Sequence, residues 1–145
     1  MKIFLSGCGK INRRENMTLI IKILCFVAKK TASKRMLVWL AKAKWSWEIL
    51  VEVIDNFNTP IKVLSNLATH DDWRVRRAVA KSPRATKTIL ANLASDSNFF
   101  VRASVASNWI TPLESLIELA NDKVRLISIQ ARENLIVKKK MVRKV

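Results

Sequence analysis

The chain has one histidine, two cysteines, two glycines and three prolines, and only 11 Asp and Glu stand against 27 Lys and Arg. Each scarcity removes a class of explanation. With so little glycine and proline, no stretch of the 145 residues has linker composition, so one small domain is expected. A lone histidine, His70, leaves no pair for a metal centre, and its place between two apolar runs suits a cap or a solvated side chain. Cys8 and Cys25 lie 17 residues apart, which matches no metal or redox spacing, so two reduced thiols in a cytoplasmic protein are expected. Leu5-Ser6-Gly7-Cys8 is similar to a lipoprotein cleavage box. Only seven residues precede its cysteine, however, too few for a charged region and an apolar core of about 7–15 residues, so lipidation is not expected. Asp71 and Asp72 are adjacent and would point apart at a helix start. No glycine-rich phosphate loop and no nucleophile with a partner can be found. Catalytic, cofactor-binding and metal-ligating residues are therefore none, and neither an enzyme nor a small-molecule substrate is expected.

What the chain does contain is an internal periodicity. When Thr59 to Arg84, Ala85 to Ile110 and Thr111 onward are written beneath one another, Leu64, Leu90 and Leu116 share a column. So do Leu67, Leu93 and Leu119, and then Ala68, Ala94 and Ala120. The first two segments keep a spacing of 26 residues throughout. In the third, the dipeptide Val124-Arg125 aligns with Val75-Arg76 and Val101-Arg102 if three residues are lost between its halves. A period of this length marks stacked-repeat architectures.

Within each segment the spacing predicts two helices. Ile61, Leu64 and Ala68 lie on one face at i, i+3 and i+7. Thr59-Pro60 and Thr111-Pro112 are start signals for the first helix. A second helix follows, capped by Asp71 or Asp72 in one segment and by Asp96 or Ser97 in the next. Its buried stripe is Val75, Ala78 and Val79, matched by Val101 and Val105, and Ser82-Pro83 should end it. Leu37, Leu40 and Ala41, then Ile49 and Val53, extend the pattern to a degenerate copy at 34–58, with Ser46 as cap. Met17 to Ala28 is apolar apart from Thr18 and Lys22, too short to span a bilayer, and is expected as a capping helix over 17–30. Residues 1–16 are expected to be irregular and basic, and 135–145 a basic tail. The architecture so predicted is all-α: helical hairpins at 34–58, 59–84, 85–110 and 111–134 stacked into one unit.

The run from Leu67-Ala68-Thr69-His70-Asp71-Asp72-Trp73-Arg74-Val75-Arg76-Arg77 to Ala78-Val79-Ala80-Lys81-Ser82-Pro83 resembles the leucine-rich repeat variant, a short relative of HEAT-like repeats. The resemblance covers 59–134 and, weakly, 34–58. It implies a short right-handed α-solenoid and a binding role. Some family members hold an iron–sulfur centre on clustered N-terminal cysteines; with only Cys8 and Cys25 none is carried over. A HEAT-like DNA glycosylase would need tryptophans and an aspartate in a basic groove, and no positions here match.

The formal charge of +16 is uneven. Residues 1–44 carry eleven basic groups against Glu15, a net of +10, while 45–58 are −3, 59–134 are +4 and the end adds +5. Such a field favours acidic partners or nucleic acid. Arg76, Arg102 and Arg125, each shortly after an acid (Asp71, Asp96, Asp122), are expected to form a structural hydrogen-bond ladder between helix and neighbouring loop. Arg74, Arg77 and Lys81 lie on the other helix face, with Phe100, Ala103, Ser107 and then Lys123, Leu126, Gln130 as equivalents. Trp73 and Phe99 share a column and are expected to pack between helices; Trp39, Trp45, Trp47 and Trp109 are expected in the core or at hinges. Phe100 and Leu126 are either exposed on a recognition face or covered by a neighbouring element. The sequence thus predicts a non-enzymatic scaffold that binds a protein with an acidic segment through Arg74, Arg77, Lys81, Phe100, Lys123 and Leu126. A nucleic-acid-binding module using the basic N-terminal region is the alternative.

Overall fold

The computed structural model describes residues 13–42 and 46–142, with side chains from Ile20 to Met141. Residues 1–12, with Cys8, Trp45 and the last three residues lie outside the described part. Nine helices and no strand occur among the described residues: α1 (Arg13–Lys30), α2 (Lys34–Lys42), α3 (Trp47–Asp55), α4 (Ile61–Leu67), α5 (Trp73–Lys81), α6 (Lys87–Leu93), α7 (Phe99–Ser107), α8 (Leu113–Leu119) and α9 (Arg125–Val142). The all-α expectation holds. Helices α3, α5, α7 and α9 begin 26 residues apart, and so do α4, α6 and α8. One layer packs in series, α1 on α3, α3 on α5, α5 on α7 and α7 on α9, with α2 and the shorter α4, α6 and α8 set against it.

The core is made by the columns of the alignment. Leu64, Leu90 and Leu116 are wholly buried, as are Ile49, Val75, Val101 and Ile127. Val53, Val79, Val105 and Ala131 form a third buried column. Apolar burial in successive helices makes one continuous core, since no single pair of short helices hides enough surface alone.

Those columns correct the expected register of the third segment. Ile127 and Ala131 stand 26 residues after Val101 and Val105, so no three residues are lost. Val124-Arg125 only mimics the earlier Val-Arg pairs: Val124 is half-buried ahead of α9, and Arg125 is exposed at its first turn. The caps differ as well. Asp72 caps α5 by accepting from the Arg74 amide at 2.9 Å, whereas α7 is capped by Asn98, 26 residues later, accepting from Phe100 at 2.9 Å. Ser46 stands at the start of α3 without a side-chain capping bond. Thr59 and Thr111 mark helix starts but do not cap them; each hydroxyl donates back to the preceding helix, to the Val53 carbonyl at 2.5 Å and the Val105 carbonyl at 2.6 Å. Pro60 and Pro112 take the cap positions of α4 and α8. Downstream of Asn134 no proline or threonine stop follows, and α9 runs on to Val142 through what was expected as a tail.

A polar column not anticipated from the sequence ties the long layer together. Asn108 donates from Nδ2 to the carbonyls of Ala80 at 2.8 Å and Ser82 at 3.3 Å. Asn134 does the same to Ala106 at 2.9 Å and Asn108 at 3.0 Å. Asn56 reaches Ala28 at 2.7 Å and Thr31 at 2.9 Å, so α1 is held as one more member of the layer. The acceptors are carbonyls at helix C-termini, which have no intrahelical partner. Position 82, midway between Asn56 and Asn108, is serine and cannot reach. There Arg84 replaces the amide, donating to the Asn56 carbonyl at 2.8 Å and to the Thr59 carbonyl.

This substitution of one donor by another is testable. Arg84→Ala should lower stability by about 1–3 kcal/mol, because the Thr59 carbonyl loses its donor and the Asn56 carbonyl one of two. Ser82→Asn in that background should recover a substantial part of the loss, as measured by chemical denaturation. A double variant no more stable than Arg84→Ala would show that position 82 is not equivalent to Asn108.

Candidate functional site

The arginines expected to be structural are consumed by the fold. Arg76 reaches forward to Asp96 with Nε at 2.7 Å and Nη2 at 2.9 Å, while its Nη1 donates to the carbonyls of His70 and Asp71, both at 2.8 Å. Arg102 repeats the arrangement on Asp122 at 2.6 Å, with Nη1 on the carbonyls of Asp96 and Ser97. The acid therefore comes from the next segment, not from just before the arginine. Arg125 has no place in the ladder; Ser128 occupies the column of Arg102. Burial pushes the Asp96 carboxyl up, but the hydrogen bonds from Arg76 and the Asn98 amide outweigh it and the group lies below its ordinary value. The hydrogen bond from Arg102 likewise holds Asp122 low against burial. Both pairs are largely shielded, with side-chain exposures of 11% for Arg102 and 7% for Asp122.

Three other cations, Arg74, Arg77 and Lys81, face a surface crossing α3, α5, α7 and α9. Residues of α5 at i, i+3 and i+7 point away from Val75 and Val79, and two grooves flank them. One, of about 530 Å³, lies between α5, α7 and α9 and is lined by Arg77, Lys81, Phe100, Ala103, Leu126 and Gln130, with Trp109 at one wall. The other, of about 420 Å³, lies between α3 and α5 and includes Trp47, Trp73, Arg74 and Asp55; Arg77 and Lys81 line both. Aromatic and cationic groups alternate along the face. Trp73 stacks on Phe100 at 5.1 Å between centroids, Arg77 lies over Phe100 at 5.6 Å and Arg74 over Trp47 at 4.8 Å. Such contacts add modest attraction and, more usefully, fix the orientation of long side chains.

Of the six residues expected to bind a partner, four, Arg77, Lys81, Phe100 and Leu126, line the larger groove. Phe100 and Leu126 are 40% and 59% exposed, so neither the last helix nor a neighbour covers them. Arg74 lies in the second groove but is forked onto Asp72 at 2.7–3.1 Å, which compensates its charge. Lys123 sits in the bend before α9 and lines neither groove. Its selection followed from the three-residue slip, which also set Gln130 against Lys81. In the observed register Leu126 falls in the column of Arg74 and Phe100, and Gln130 in that of Ala78 and Ser104. The expected pairing of Trp73 and Phe99 between helices is only half met: Trp73 packs against the core, whereas Phe99 is 42% exposed and tilted against Phe100. Trp47 is packed against the core and Trp39 is 58% exposed on α2, while Trp109, 73% exposed, lies in the turn between α7 and α8, the hinge alternative.

Within the larger groove, Arg77 Nε and the Gln130 side-chain oxygen are shielded from solvent and take no hydrogen bond. Leaving a buried polar atom unpaired costs about 1–3 kcal/mol. Among the described residues no cluster of His, Cys, Asp or Glu could hold a metal ion, and no helix is long and apolar enough to cross a membrane. No family model, no curated protein and no solved structure matches the chain.

Because the Asp96 and Asp122 carboxyls are depressed in the fold, their stabilisation is complete above the ordinary aspartate value of about 3.9 and is lost as pH falls through the lower folded values. Thermal midpoints should hold steady down to about pH 4 and then decline; Asp96→Asn with Asp122→Asn should start lower and decline less. At neutral pH, Arg102→Ala should cost about 1–3 kcal/mol by leaving Asp122 and two loop carbonyls without their donor. An unchanged melting curve for that variant would overturn the structural role of Arg102.

Proposed function

We propose that the chain is a short right-handed α-solenoid and a non-enzymatic scaffold that binds another protein along the face crossing α5, α7 and α9. The observation that carries this reading is the groove itself: an exposed Phe100 and Leu126 beside Arg77 and Lys81, with no carboxylate among the lining residues. Interface energy concentrates in such aromatic and arginine anchors. The 26-residue recurrence of helix starts, of buried columns and of the asparagine donors supports the solenoid. The resemblance to the leucine-rich repeat variant points the same way.

A second reading has its own support. The net of +10 in residues 1–44 would suit nucleic acid. Binding that neutralises 6–10 phosphates loses on the order of 10³ to 10⁵ in affinity between 50 and 200 mM salt. Titration of one duplex and one single-stranded oligonucleotide at those salts separates the two readings.

Two experiments bear on the proposal. If the chain is a solenoid, deleting Ala85 to Ile110 as one unit should leave a helical, cooperatively folding but weaker protein, because each segment mainly touches its neighbours. Loss of cooperativity in the deletion alone would indicate an ordinary globular bundle. For the binding face, partners captured from native lysate should be tested for affinity on variants. Phe100→Ala should cost roughly 1–3 kcal/mol of binding, and Arg77→Glu should chiefly slow association. Full binding by both, with loss on neutralising Lys138, Lys139 and Lys140 or removing residues 1–12, would move the site to the basic ends.

A further inference from the structure

Helix α1 ends the long layer, and its outward side is open. Ile21, Leu24, Cys25 and Ala28, at i, i+3, i+4 and i+7, turn inward and pack on the core beside α3. Ile23 and Phe26 point the other way and are 53% and 64% exposed, with Ile20 at the edge of the strip. The place of Ile23 is a core position elsewhere. It stands 26 residues before Ile49, in the column that Ile49, Val75, Val101 and Ile127 bury completely.

Cations surround this strip. Lys30 lies one turn beyond Phe26 on the same side, Lys22 and Lys29 run along one edge, and Lys34 and Arg35 begin the next helix. Each is exposed, and none is in an ion pair among the described residues. The sequence holds no acid between Glu15 and Glu48. Glu48 and Glu52 act on the packed side of α1, where the Cys25 thiol is pushed up by burial and then by these two carboxylates. From Ile20 to Ala28, Lys22 and the half-buried Cys25 are the only side chains with a polar atom. A protein interface uses directional hydrogen bonds, about one per 100–200 Å². Nucleic acid would meet the cations but leave Ile23 and Phe26 in water. A lipid surface asks only for apolar groups beneath and cations at headgroup level.

We propose that the outward side of α1 docks on an anionic lipid surface. Ile20, Ile23 and Phe26 enter the boundary between headgroups and acyl chains, and Lys22, Lys29 and Lys30 meet the phosphates. The helix lies on the bilayer rather than across it; no helix among the described residues is long and apolar enough to span one. No residue of α1 lines either groove, so this face stands independently of the protein-binding reading.

The test is co-flotation of the full-length chain with vesicles of phosphatidylcholine alone and of phosphatidylcholine mixed equally with phosphatidylserine. The protein should float with the mixed vesicles and not with the neutral ones, and less as salt is raised. Ile23→Ser with Phe26→Ser keeps every charge and should weaken partitioning by about tenfold or more. Lys29→Gln with Lys30→Gln should do the same while keeping the apolar strip. Phe100→Ala, in the groove, should change nothing. These side chains are exposed, so thermal melting of both double variants should match that of the parent. Absence of flotation with the mixed vesicles would overturn the proposal. Full flotation of the serine variant would overturn it too, leaving charge alone as the cause. Without flotation, an oligonucleotide complex or a dimer that the serine variant loses would give the face to nucleic acid or to self-association instead.

Discussion

The carbonyls at the C-terminal end of each long helix lack partners within their own helix, and the rest of the structure depends on how they are supplied. Ala80, Ala106 and Ala28 are fully buried at these ends, out of reach of water. An unpaired buried carbonyl is costly, and the ends of α1, α5 and α7 each receive an asparagine donor from the neighbouring element. Asparagine does this twice over. In Asn108, Nδ2 serves the preceding helix end while Oδ1 accepts from the Ile110 amide at 2.9 Å and shapes the turn out of α7. One residue thus ends its own helix and fixes its distance to the previous one. Where serine stands in that place, Arg84 takes over the outward donation and Ser82 keeps only the inward one, accepting from the Arg84 amide at 3.3 Å.

The same logic explains why a high positive charge is a poor guide to a binding face: much of it is spent inside the fold. Arg76, Arg84, Arg102 and Arg132 all donate to backbone carbonyls, Arg132 to Ala120 at 3.0 Å. These side chains are cations because a guanidinium can serve several acceptors at once in a fixed plane. Two of them are further neutralised by Asp96 and Asp122. Among the groove residues, Arg77 and Lys81 are the cations without an ion pair in the described structure. The basic excess in residues 1–44 is a separate matter from recognition in the groove.

Apolar columns made most of the fold legible. Leucines and valines at 26-residue spacing placed the helices to within a few residues, and Ser82-Pro83 marked the end of α5 correctly. The slip in the third segment came from weighting the dipeptide Val124-Arg125 above the column. The polar clamp decides the matter: Asp122 lies as far beyond Arg102 as Asp96 lies beyond Arg76. The asparagines at 56, 108 and 134 were readable too, being spaced by one or two periods, but Ser82 interrupts them and hides the column. The exposed tryptophan at 109 had a similar signal. Its column holds Phe57 and Pro83, both exposed on turns. That the Gln130 side-chain oxygen is buried without a partner could not have been read from the sequence, because only packing reveals it.

Comparison of the segments with one another also shows where the clamp stops. His70 stands in the acid column and its Nδ1 accepts from the Asp72 amide at 3.0 Å, the turn-shaping bond that Asp96 and Asp122 make to Asn98 and Val124 at 2.8 Å. The position in α3 that would send an arginine to it is Leu50, buried in the core. Where the arginine is absent, so is the acid. Helices α5, α7 and the loop before α9 are therefore fixed to one another by two largely shielded ion pairs, whereas α3 meets α5 through apolar contact, Arg84 and the stacking of Arg74 on Trp47. The two grooves on either side of α5 differ accordingly. The one spanning α7 lies against helices joined by charge-assisted hydrogen bonds, while the one beside α3 lacks such a brace. The groove to which Phe100 and Leu126 belong is thus the more firmly walled of the two.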